Sequence, residues 1–379
     1  MLELTLTGAE VLLPDGLAVT ELSICGGQIV SQSQPKQVDL RGFQVLPGII
    51  DIHGDGFERH LAPRRGVMKD LREGLSSAEN ELAANGITTA YLAQFWSWEG
   101  GMRGPDFARR FLQALQEYDG LGTDLRAQLR FEYAMIDDYA EVEALIAAHG
   151  IDYVVFNDHL PHAALSKGKK PPRLTGQALK GGRSPEAHLA LMQVLFARFD
   201  AAKDAVSGLS QRLAKQGRYL GSHDDATGAQ RAAWRAQGVE ISEFPETREA
   251  AEAAFDTGGS VVLGAPNVVR GGSHSGNISA AELVEQGLCS ALASDYHYPA
   301  PRQAALVLAQ SIGLPQAWAL LSSGPAAVLG LQDRGEVSLG KRADLIILDG
   351  QGRLGCTMAA GRITYLSGEV AARFLAGAR

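Results

Sequence analysis

Residues 51–60, DIHGDGFERH, hold Asp51, His53, Asp55, Glu58 and His60 directly behind the apolar run VLPGII. An isolated charge drawn out of water costs several kcal/mol or is neutralised, so such a cluster at the mouth of a buried strand calls for partners. A divalent cation is one. Groups of the same types close other apolar stretches: Glu132 ends LRAQLRFE, His159 ends IDYVVFNDH, and His223 stands in RYLGSHDD with Asp224 and Asp225. Glu243 lies in GVEISEFP, Asn267 ends SVVLGAPN, and Asp295 lies in CSALASDYHYP. Six of these, His53, Asp55, Glu132, His159, His223 and Asp295, are imidazoles or carboxylates suited to one or two divalent ions. His53 and Asp55, two apart on a strand, point to the same side. Glu132 is expected to bridge two ions, and Asp295 and His223 are the expected catalytic groups, Asp295 as ligand and base. The donor types suit Zn²⁺ foremost, with Fe²⁺ or Mn²⁺ as further candidates.

Such a set needs a scaffold that gathers distant segments on one rim. Apolar strands alternate with helices expected near 76–85, 105–117 and 138–149. The last carries Tyr139, Val142, Leu145 and Ile146 on one face and stops at Gly150. Eight apolar strands separated by helices indicate an α/β fold with a parallel sheet, a (β/α)8 TIM-like barrel whose active site lies at the C-terminal strand ends. Residues 2–45 read instead as short strands with tight turns, and GEVSLGKRADLIILD and GRITYLSGEVA return to that texture near the other end. A small β-sandwich domain from 1–45 plus 335–379, its two ends sharing a sheet, is therefore expected beside a barrel over 46–334. Residues 160–216 make a long insertion, opening with the basic KGKKPPR and continuing into a helix capped by Ser184, with Pro185 at its first position, running toward 215.

Composition narrows the function. Lys plus Arg number 35 against 43 for Asp plus Glu, a formal charge of -8, which argues against general nucleic-acid or anionic-membrane binding. The three cysteines, Cys25, Cys289 and Cys356, are far apart and odd in number, as fits a reducing compartment. The N-terminal MLELTLTGAEVLLPDG has neither a basic leader nor a long apolar stretch, so a cytoplasmic protein is expected. Homo-oligomerisation stays open.

Several stretches resemble the amidohydrolase superfamily: LPGIIDIH near the start and GEVSLGKRADLIILD near the end are similar to its flanking signatures. Within it, HGDGFERHLAPRRGV, NGITT, VVFNDHLP, SHDDAT, EFPETREAAEAA, GAPNVVRGGSHSGNISAAEL and SDYHYP resemble the diphosphatase family of phosphonate catabolism. The first motif is His-x-Asp, whereas most of the superfamily has His-x-His. His159 and His223 fall on strands four and five, whereas the superfamily pattern uses five and six; no lysine offers a carbamylated bridge, which leaves that role to Glu132. The resemblance implies metal-dependent hydrolysis of the α–β phosphoanhydride of ribose 1-methylphosphonate 5-triphosphate, releasing pyrophosphate.

An acidic protein must meet a small anionic phosphorylated substrate with local cations. Arg59, His60, Arg64, Arg65, Arg270 and the insertion's Lys167, Lys169, Lys170 and Arg173 are candidates. Residues 270–277, RGGSHSGN, combine Arg270, Ser273, His274, Ser275 and Asn277 with glycines that let backbone N–H groups approach phosphate oxygens. Trp96 and Trp98 read either as rings that stack on a ligand or as core or rim packing, His149 and His188 as helix-end and helix-packing residues, and His297 as a proton-transfer candidate beside Asp295. Two rival readings remain: a deaminase or cyclic amidase attacking a C–N bond, which the basic loop disfavours, and a metal-free scaffold, which the ligand set disfavours.

Overall fold

The computed structural model describes residues 3–32, 36–64, 70–272 and 278–376. Eight strands hydrogen-bond in sequence order: β1 Ile49–Gly54, β2 Ile87–Trp96, β3 Asp124–Glu132, β4 Tyr153–Asn157, β5 Tyr219–His223, β6 Ile241–Glu243, β7 Ser260–Gly264 and β8 Ala291–Ala293. A parallel bridge from Gly54 to Asp295 joins the last strand to the first, so the sheet is a near-closed barrel. All ten residues of β2 and all six of β1 are buried, as expected of strands covered on both faces. All eight barrel strands fall where the apolar runs place them.

Close packing groups the chain into two compact units, and each is described by itself. The first comprises Met1–Leu92, Asp119–Arg126 and Val262–Arg379. It holds β1, β8 and two further sheets. One has four strands, in the order Gln28–Val30, Leu22–Cys25, Leu4–Thr7, Gln37–Asp39. The other has six: Arg362–Leu366, Leu354–Ala359, Leu345–Asp349, Phe43–Pro47, Glu10–Leu13 and Gly16–Val19. Phe43–Pro47 runs antiparallel to Leu345–Asp349, so the two chain ends share this sheet. Leu6, Ile24, Val45, Ile347 and Met358 belong to one apolar core beneath these strands. Helix α1, Leu71–Ala84, begins earlier than the apolar spacing predicts, because the Asp70 side chain caps it by accepting from the N–H groups of Arg72 and Glu73.

The second unit comprises Ala93–Tyr118 and Ala127–Val261. Helices α2 (Pro105–Gln116) and α3 (Tyr139–Ala148) match expectation. The insertion is largely helical, with α4 (Leu174–Lys180), α5 (Pro185–Ala197) and α6 (Phe199–Lys215). Ser184 caps α5 through the Ala187 N–H at 3.1 Å, with Pro185 in the first turn. The single helix expected to run toward 215 is corrected to two: at Arg198 the backbone leaves the helix (φ -102°, ψ 6°), and its guanidinium ties back to Asp137 at 2.6 Å.

Candidate metal centre and active site

In the first unit, β1 delivers His53 into the interior and Asp55 just past its end. Asp295, directly after β8, is stitched to both: its N–H donates to the His53 carbonyl at 3.0 Å, and its carbonyl accepts from the Asp55 N–H at 2.9 Å. Asp295 adopts a left-handed φ of 55°, a conformation that aspartate takes more readily than most non-glycine residues. Asp51 anchors this junction. Its buried carboxylate accepts from the Ser294 N–H at 2.9 Å and the Ser294 hydroxyl at 2.5 Å; burial raises its pKa while Ser294 opposes the rise. His297 is exposed.

A cationic group borders this part of the chain. His60 and Arg59 both engage Glu81 on α1, Arg59 donates to the Tyr296 carbonyl at 3.0 Å, and Arg270 donates to the Tyr296 hydroxyl with its guanidinium 5.9 Å from that ring. Arg64 is exposed. Arg65 and the loop residues Ser273, His274, Ser275 and Asn277 lie outside the described residues.

In the second unit, Glu132 and His159 come together: Glu132 Oε1 lies 2.5 Å from His159 Nδ1, close but not aligned as a hydrogen bond. Glu132 Oε2 accepts from Trp98 Nε1 at 3.2 Å and from the His159 N–H at 3.0 Å. Burial pushes the Glu132 pKa up, but the charge of the nearby His159 ring, the His159 backbone N–H and the Trp98 indole hold it below the usual value. His223 ends β5 and pairs in register with Glu243 at the end of β6. Their ligand atoms lie within 4.8 Å of one another. Glu243 is fully buried, and its Oε1 accepts from Gln128 Nε2 and the Tyr153 hydroxyl, each at 2.6 Å. Arg130, 4% exposed, places Nη2 2.9 Å from His223 Nε2. Asp224 turns with φ 59° and meets His223 Nδ1 at 3.0 Å. Asp225 instead turns into the protein, where it binds Ser222, Ser242 and Arg231. Lys167, Lys169, Lys170 and Arg173 are exposed on the insertion.

Sequence reasoning missed Arg130 and left Glu243 out of the ligand set. The signal for Arg130 was its place two residues before Glu132 on β3, which puts both on one side of the strand. Trp98, read as a stacking or packing ring, and His188, read as packing, stand beside this cluster, their ring centroids 5.5 Å apart.

The donors fit a divalent metal. In the second unit two imidazoles, His159 and His223, and two buried carboxylates, Glu132 and Glu243, lie at or just past strand ends, and a carboxylate this deeply buried is stable only with cationic or donor partners. A near-closed parallel barrel with acid and imidazole groups at its strand ends is the frame of a barrel enzyme whose site lies on that rim. The chain belongs to the amidohydrolase family, whose description matches residues 186–372, and to the branch of its curated relative. That relative is alpha-D-ribose 1-methylphosphonate 5-triphosphate diphosphatase of Escherichia coli (strain K12), 32% identical over 361 residues, covering 90% of this chain and 94% of the relative. Among solved structures, N-acetylglucosamine-6-phosphate deacetylase from Pasteurella multocida is similar with a TM-score of 0.62 at 11% identity, covering 96% of this chain and 99% of that one. An adenosine deaminase from Xanthomonas campestris with bound zinc has a TM-score of 0.53 at 12% identity, covering 99% and 97%. At these identities the structural likeness speaks for the barrel alone.

Proposed function

We propose that this protein is a metal-dependent diphosphatase that hydrolyses the α–β phosphoanhydride of ribose 1-methylphosphonate 5-triphosphate. The observation that carries the reading is the likeness to the diphosphatase along nearly the whole of both chains. A metal centre is supported by two pairs of ligand type within the second unit, His223 with Glu243 and Glu132 with His159. Once bound, divalent ions draw charge from the attacked phosphoryl group and make a water more acidic.

The chain's own residues supply the rest. Asp295 is held in a left-handed turn and accepts the proton of the attacking water at its carboxylate. Arg130, desolvated and only able to donate, stabilises charge that grows on the phosphoryl oxygens. Arg59, His60, Arg64 and Arg270 receive the terminal phosphates, together with the loop that carries Ser273, His274, Ser275 and Asn277. Water adds to one phosphorus, the bridging P–O bond breaks, and pyrophosphate leaves beside the 5-phosphate. Phosphoryl transfer asks mainly for positioning and charge stabilisation, which this set provides.

The test is incubation of Zn²⁺-, Fe²⁺- or Mn²⁺-reconstituted protein with the ribose triphosphate, with ATP and with a panel of amides, followed by phosphorus NMR and ammonia release. Pyrophosphate from the ribose compound is expected. Amide turnover with no phosphate product would replace this reading with a C–N hydrolase.

A further inference from the structure

Glu132 has its two oxygens in different situations. Oε2 takes two donors, the Trp98 indole and the His159 backbone N–H, which fixes the carboxylate plane and leaves Oε1 directed at the His159 ring. Trp98 is 2% exposed, so its indole N–H has no water to fall back on and commits to Glu132.

Trp98 is itself held by the insertion. Arg183, just before α5, donates through Nη1 to the Trp98 carbonyl at 2.7 Å and to the Glu99 carbonyl at 3.2 Å. Two glycines let the backbones meet: a Cβ on Gly181 would collide with the Glu99 carbonyl, and one on Gly101 with the Lys180 carbonyl. Gly101 also has φ 59°. On the other face, the buried His188 of α5 packs its ring 5.5 Å from the indole. The loop closes on itself as well, through Ser97 N–H to the Arg103 carbonyl at 2.8 Å and Arg103 to Glu99 at 3.0 Å. A tryptophan needed only as filler would not call for this many contacts to its main chain and its one polar atom.

We infer that Trp98 is the positioning residue of the Glu132–His159 pair, and that residues 180–188 of the insertion are the brace that sets Trp98. This rests on the reading of Glu132 and His159 as metal ligands. The insertion thereby acts on the centre from its docked end through the Trp98 loop, while its lysines at 167–170 face solvent. Outer partners of metal ligands typically account for about 10- to 100-fold in affinity or activity.

The experiment compares Trp98→Phe, which keeps an aromatic ring and deletes the N–H, with Arg183→Ala, each alone and on a Glu132→Gln background. Zn²⁺ affinity is read by competition with a chromophoric chelator, kcat and KM on the triphosphate, and melting temperature on the same samples. Each single variant is expected to lower kcat and the affinity for the more weakly held Zn²⁺ by about 10- to 100-fold, with KM little changed. On the Glu132→Gln background Trp98→Phe should cost nothing further in Zn²⁺ affinity, because a residue acting through Glu132 has nothing left to act on. Unchanged affinity and kcat, or a loss of the same size in both backgrounds, overturns the inference and leaves Trp98 as packing. A wild-type protein that binds Zn²⁺ but spares the triphosphate defeats the proposed reaction instead, and the affinity cycle still decides the role of Trp98.

Discussion

Arg130 Nη2 stands 2.9 Å from His223 Nε2 across the end of β5. A guanidinium only donates, so Nε2 faces it with the one lone pair that a bound ion would take in its place, and the ring turns its other nitrogen toward Asp224. Burial and then the Arg130 charge both lower the His223 pKa, which keeps the imidazole neutral, the form a metal ligand requires. Lysine cannot reproduce this planar fork. Arg130→Lys is expected to reduce kcat about 10- to 100-fold with a nearly unchanged melting temperature, measured by steady-state kinetics and calorimetry.

Glu243 is buried between Gln128 and Tyr153, and its charge is the kind that a bound cation compensates. Glu243→Gln keeps the shape and removes that charge. Bound metal per chain, read by elemental analysis, should fall, and turnover with it. A chelator should lower the melting temperature of the wild-type protein more than that of the variant, since ligand binding to the folded state stabilises by mass action.

Asp295 occupies φ 55°, a region that asparagine also tolerates. Asp295→Asn should therefore keep the backbone, and with it the hydrogen bonds to His53 and Asp55, while removing the proton acceptor. Turnover is expected to vanish with the far-ultraviolet circular dichroism unchanged. Substantial remaining activity would take Asp295 out of the mechanism.

The barrel was legible because its strands are continuous apolar runs, a pattern set by burial on both faces. The shared terminal sheet was legible from repeated short-strand texture. Arg130 was not: a cation in mid-strand reads as solvent-facing until the register shows it beside His223 and Asn157. The break at Arg198 escaped because no proline or glycine marks it; an ion pair to Asp137 does. Asp225 looked like part of an acidic strand end, yet the turn at Asp224 sends it inward, a consequence of one left-handed residue that composition cannot reveal.

Asp124 ties Arg126 and Arg334 together in the first unit, at 3.0 and 2.6 Å. Burial works to raise its pKa, but the hydrogen bonds and charges of Arg126 and Arg334 bring it below the ordinary 3.8. A carboxyl whose folded pKa is depressed contributes stability above its unfolded pKa and loses it as pH falls through the folded value. Asp124→Asn should therefore cost about 1–3 kcal/mol near neutrality, and the gap to wild type should close below about pH 4. Urea unfolding followed across that range checks both the size and the sign.

Asp225 and Arg231, 0% and 1% exposed, form a buried ion pair at 3.1 Å. Ser222 and Ser242 donate to the same carboxylate oxygen, Oδ2, at 2.7 and 2.8 Å, and Arg231 also donates to the Val239 and Ile241 carbonyls, so the pair is held through Oδ2 while the buried Oδ1 takes no hydrogen bond among the described residues. Removing one partner strands the other in a medium that cannot solvate it. Asp225→Ala should destabilise the protein by about 3–5 kcal/mol in chemical unfolding. Replacing both, as Asp225→Val with Arg231→Met, removes the stranded charge and should recover part of that loss. Two losses that simply add would mean that the serine and carbonyl contacts, not the ion pair, hold the ends of β5 and β6 in place.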